Sequence, residues 1–100
     1  MKDELKIYCQ TPTPGKTGTR IPAWKYHAVR NAILEVLDAE KEIYFKGLSE
    51  AVSKRLSSDT LSRLGSVNWH VTTVKLNMEF EGEIMRIEGV KPQKLERTPL

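Results

Sequence analysis

One cysteine, Cys9, and two histidines, His27 and His70, leave this 100-residue sequence short of the groups that most often carry reactive chemistry. A lone cysteine excludes an internal disulfide. No His or Cys pair has metal-ligand spacing, so no metal site is expected. His27, beside Tyr26, reads as a solvated or capped side chain; His70, beside Trp69, reads as a surface histidine within reach of a phosphate or a partner. The serines at 49, 53, 57, 58, 62 and 66 lack the Gly-flanked turn that exposes a nucleophile. Glu35, Asp38, Glu40 and Glu42 read as a solvated helix end. The expectation is therefore a non-enzyme without a cofactor. Long apolar runs are also missing: none approaches the roughly 18 residues that would span a membrane. The opening MKDELKIYCQTPTP has no apolar stretch of the secretory type, and its KDEL, Lys2 to Leu5, is a retention signal only at a C-terminus. A cytoplasmic location is expected.

Charge of one sign is scarce too. Sixteen Lys and Arg against thirteen Asp and Glu give a net +3. Residues 1–20 carry +2 and residues 83–100 carry +1, whereas residues 66–82 carry −1. The basic excess lies in the N-terminal arm and the tail. One small domain is implied, with no repeat or low-complexity tract.

Three of the five prolines and two of the six glycines fall in residues 1–22, which reads as an extended arm with a short strand at Lys6 to Cys9. The first helix is predicted from about Pro22 to Ala39, with Tyr26, Val29, Ile33, Val36 and Leu37 as its buried stripe. Ile43-Tyr44-Phe45 suits a short strand. A second helix follows from about Leu48 to Leu56, then a long turn, Ser57 to Gly65, held down by Leu61 and Leu64. Ser66 caps a third helix that stops near Gly82. Glu83 to Ile87 and Gln93 to Arg97 then form a hairpin, or wing, around Gly89 and Pro92.

The third helix carries two apolar stripes. Val67, Val71, Val74 and Met78 recur at i, i+4, i+7 and i+11, and so do Trp69, Thr73, Leu76 and Phe80. At about 100° per residue the two lie on opposite faces, and one core cannot bury both. A helix that reads DNA would carry hydrogen-bonding side chains on its outer face. Three covers for the second stripe compete: the arm (Ile7, Tyr8, Ile21) or the tail (Val90, Leu95, Leu100), a second copy of the chain, or another protein or apolar ligand.

Pro14-Gly15-Lys16-Thr17 invites a phosphate-loop reading, but Gln10 stands where the first Gly is required, and Gly18 and Pro22 follow where a helix should start. A turn that folds the arm back explains it, with anion capture by backbone N–H groups as the weaker option. Candidate nucleic-acid contacts are Lys54 and Arg55, with Arg63, around the turn between the second and third helices, Asn68, Thr72 and Lys75 on one polar edge of the third helix, and Arg86, Lys91 and Lys94, with Arg97, in or beside the wing. Lys16 and Arg20 of the arm are placed to reach a minor groove. Glu79, Glu81, Glu83 and Glu88 would repel phosphate.

PGKTGTRIPAWKYHAVRNAILEVL together with WHVTTVKLNMEFEGEI resembles an uncharacterised family of short bacterial proteins with a Pro-Gly-Lys-x-Gly arm, over roughly Thr13 to Leu95. That family is similar to winged helix-turn-helix domains. The third-helix spacing also resembles that of multiple-antibiotic-resistance-type regulators, from which this chain departs in its outer apolar stripe and weak basic charge. The expected fold is α+β, winged helix-turn-helix-like, with three helices and a small antiparallel sheet; residues 1–22 form the arm and 23–97 the winged-helix domain. The expected function is a nucleic-acid-binding or regulatory module, with double-stranded DNA and a homodimer as partners. The alternative is a protein-interaction or dimerisation domain using Trp69, Thr73, Leu76 and Phe80.

Overall fold

A computed structural model describes residues 5–99. Lys2 to Glu4 of the N-terminal KDEL run, and Leu100 among the expected tail covers, lie outside the described residues. Strands β1 (Lys6–Cys9) and β2 (Thr19–Pro22) pair antiparallel, from Lys6 opposite Pro22 to Cys9 opposite Thr19. The arm is thus a β-hairpin over its described part. Cys9 and Ile21 are each 2% exposed, so the hairpin shares one core with the helices.

Its glycines have local causes. Gly15 turns the loop at φ +78°, a left-handed conformation that side chains disfavour. At Gly18 a Cβ would lie 2.0 Å from the Cys9 carbonyl oxygen across the hairpin. The Gly18 N–H is occupied as well, donating to the Tyr8 hydroxyl at 3.1 Å. The Pro-Gly-Lys-x-Gly run is therefore a hairpin loop.

Helix α1 (Ala23–Glu40) buries Tyr26, Val29, Ala32, Ile33, Val36 and Leu37, the expected stripe with one alanine added. Strand β3 (Glu42–Tyr44) and one 3₁₀ turn (Phe45–Gly47) lead into α2 (Leu48–Ser53), shorter than expected. The Ser57 to Gly65 stretch expected as a turn contains a further helix, α3 (Ser58–Leu64). Its cap was present in the sequence: Ser57 Oγ accepts from the Thr60 N–H at 3.1 Å. Helix α4 (Val67–Phe80) begins the same way, with Ser66 Oγ accepting from the Trp69 N–H. It closes with the Glu83 N–H returning to the Met78 carbonyl and the Gly82 N–H to Glu79.

Strands β4 (Ile84–Arg86) and β5 (Lys94–Arg97) form the wing, and β5 pairs with both β4 and β3 to give the order β3-β5-β4. The fold is α+β, with four α-helices and two small antiparallel sheets among the described residues, in a winged-helix-like arrangement. Helices α1 and α4 pack together at its centre. Val71, Val74 and Met78 of α4 are fully buried, and Ile84 and Leu95 tie the wing to the same core.

Candidate functional site

The outer stripe of α4 is the most unusual surface. Trp69 is 46% exposed and Phe80 47%, whereas Thr73 and Leu76 between them are half-buried. The difference comes from the N-terminal hairpin, which lies along one flank of α4. Asn77 holds it there: its Oδ1 accepts from the Gln10 N–H at 2.9 Å and its Nδ2 donates to the Tyr26 hydroxyl at 2.8 Å. One side chain thereby joins the hairpin, α4 and α1. His70, on the same flank, is buried rather than on the surface, and its Nδ1–H donates to the Ser66 carbonyl at 2.7 Å. Its ring meets that of Trp69 edge to face, 4.8 Å between centroids.

Between the hairpin loop and α4 lies a cavity of about 360 Å³, lined by hairpin residues between Cys9 and Thr19 and by Trp69, Thr73 and Leu76. A more open depression separates the hairpin tip, Pro12 to Pro14, from Glu79, Met85 and Arg86. Met85 is 38% exposed, which extends the apolar surface onto the wing. The arm therefore covers the stripe in part, and Trp69 and Phe80 stay open at its two ends.

The opposite flank of α4 corrects the expectation for Lys75. It does not lie on a solvent-facing polar edge with Asn68 and Thr72: it is 2% exposed, 2.5 Å from Glu79, and its ammonium sits 4.6 Å above the Phe45 ring. Burial lowers its pKa from the ordinary lysine value, and the Glu79 carboxylate opposes that shift. Arg86 closes the group from the wing, donating to Glu79 at 2.8 Å. Lys75 cannot touch a phosphate in this arrangement.

Most of the other expected phosphate contacts are paired. Lys54 meets Glu50 at 3.7 Å, Arg55 meets Glu35 at 3.8 Å, and Lys94 meets Glu42 at 2.9 Å, where it also lies over the Tyr44 ring. Arg63 pairs with Asp59 and Arg97 with Asp38. Asn68 Oδ1 accepts from Ser49 Oγ, tying α4 to α2, and Thr72 is half-buried. Glu83 is gripped by the Arg30 guanidinium, so Glu79 and Glu83 are neutralised instead of standing free to repel phosphate. Lys16, Arg20 and Lys91 are exposed and make no ion pair among the described residues.

The tie that Asn77 makes to Gln10 of the hairpin, and the pairing of Glu79 with buried Lys75, were not visible in the sequence. Nothing in a linear pattern shows that residues 67 positions apart, Gln10 and Asn77, will meet. Among the described residues no group of three His, Cys, Asp or Glu is placed to hold a metal ion, and no helix is long and apolar enough to cross a membrane. Comparison with curated proteins and with solved structures finds no match. A family model does match, over residues 6–95, a span from the first strand of the hairpin to the middle of the wing's last strand. The chain belongs to that family, a family of unknown function (DUF6958).

Proposed function

We infer that this is a non-enzymatic, winged-helix-type interaction module that pairs with a second copy of itself through the outer face of α4. The carrying observation is the half-exposure of Trp69 and Phe80 on the helix whose outer face would otherwise read a duplex. Base edges and phosphates are contacted by donors and cations, whereas an indole and a phenyl ring at the ends of one stripe suit a desolvated protein interface. The charge distribution supports the same reading. Lys75 is withdrawn into the protein, and Arg86, Lys94, Lys54 and Arg55 are engaged with carboxylates. A two-fold pair is the commonest way for a small soluble chain to cover such a face.

Light scattering on Leu76→Asp and Phe80→Asp tests this. Both variants are expected to keep their helical circular dichroism and to run at the mass of one chain, with the wild type at twice that mass. Folded variants that leave the wild-type mass unchanged would place the interface elsewhere.

Duplex DNA is the second reading, favoured by the helix and sheet order and by exposed Lys16, Arg20 and Lys91. It requires affinity that falls steeply as salt rises. A fluorescence titration with no binding at low salt removes it.

A further inference from the structure

We propose that the cavity between the hairpin loop and α4 is a binding site for a small amphipathic carboxylate, an aromatic ring or short acyl chain bearing one negative charge. The cavity, about 360 Å³, lies at the small end of the range for ligand pockets. Its two walls differ in chemistry. Trp69 and Leu76 supply an apolar wall on α4. The hairpin supplies Lys16, Thr13 and Thr17, with Thr73 on the helix side. Lys16 is the one charged residue of the lining, and no carboxylate faces it there. A flat or flexible apolar body on the indole, with its anion at the lysine and the threonines beside it, satisfies both walls.

The fold does not otherwise account for Lys16. The turn it follows is set by Gly15 and the close strand approach by Gly18, and Lys16 itself is exposed without an acidic partner among the described residues. The walls are also held in place before any ligand arrives. Cys9 and Ile21 anchor the hairpin in the core, and the Gln10–Asn77–Tyr26 hydrogen bonds fix it against α4. The walls belong to a single chain, but Trp69 and Leu76 also lie on the face inferred to pair with a second copy, so ligand and second copy compete for this side of α4.

The test is a two-dimensional NMR titration of the full chain with benzoate, indole-3-carboxylate and octanoate, and with the neutral benzamide, indole-3-carboxamide and octanamide. Saturable shifts are expected for the residues between Gln10 and Thr19 and for the Trp69 indole, with each carboxylate about tenfold tighter than its amide, the factor that one charge-assisted contact of about 1.4 kcal/mol gives. Lys16→Gln should abolish that preference while leaving the rest of the spectrum, and so the fold, unchanged. Three results would overturn the proposal: no saturable shift with any probe at millimolar concentration, equal affinity for acids and amides, or a preference that survives in Lys16→Gln. Light scattering at each titration end point reads the oligomer separately, so failure of the ligand site and failure of the dimer are told apart.

Discussion

Lys75 occupies a place that a lysine takes only with compensation. Its ammonium is enclosed by Phe45 and Glu79, with Arg86 reaching Glu79 from the wing. Helix periodicity puts Lys75 on the same side of α4 as Asn68 and Thr72, and that much was legible. The 3₁₀ turn and the wing that close over it were not, because Phe45 arrives from a distant part of the chain and Arg86 reaches Glu79 only through the turn that folds the wing back on α4. The burial makes the pair a matter of satisfaction more than of net gain. Glu79→Gln, which leaves a buried charge without its counter-ion, is expected to cost about 3 kcal/mol in urea unfolding, while Lys75→Met with Glu79→Met costs far less. Part of the Glu79→Gln loss should return as pH rises toward 10.5. The folded-state pKa of Lys75 is depressed, so the unfolded chain binds more protons in that window and stability climbs with pH.

Cys9 runs the other way. Burial pushes its thiol from 9.0 up to about 11, so between those values the unfolded chain ionises first and stability falls as pH rises. That decline should be shallower in Cys9→Ala. At pH 8 the native thiol should resist a disulfide reagent that modifies the urea-unfolded chain at once. Rapid native modification would mean that the hairpin does not seal over it.

Among the elements, the long periodic ones could be read directly. The α1 stripe and the Val71, Val74 and Met78 face of α4 are buried as their spacing requires, and the wing forms where Gly89 and Pro92 separate two strand-like runs. The short elements were harder. Helix α3 spans seven residues, too few for a period to show, although its Ser57 cap and Gly65 stop were both in view. The hairpin is the clearer case. Its Pro and Gly content signals a turn, but its pairing depends on a glycine that no local pattern demands. Gly18 is needed because the Cys9 backbone passes within van der Waals distance of the missing Cβ. Gly18→Ala is therefore expected to cost about 1–3 kcal/mol in thermal unfolding, as overpacking does, and the exposed neighbour Thr17→Ala within about 0.5 kcal/mol. Equal costs would show that the strands do not approach so closely.

At the scale of the whole molecule, a winged-helix-like frame carries an α4 with three unusual features. The N-terminal hairpin takes one flank of α4, the wing ties Glu79 and Lys75 down on the other, and the face between them is apolar at both ends. The apolar character of that face was legible as a second stripe. Its partial cover was not, since the arm or the tail, a second copy, and another protein or apolar ligand all competed to supply it. The hairpin is part of the core, so deleting it would remove Cys9 and Ile21 along with the cover. Point substitutions on α4 are the cleaner probe. If the outer face of α4 pairs two chains, the unmodified protein must show it in its solution mass. Sedimentation equilibrium over a range of concentrations is expected to give twice the 11.4 kDa chain mass, dissociating on dilution. A mass of one chain at every concentration, with Trp69 freely quenched by iodide, would contradict it.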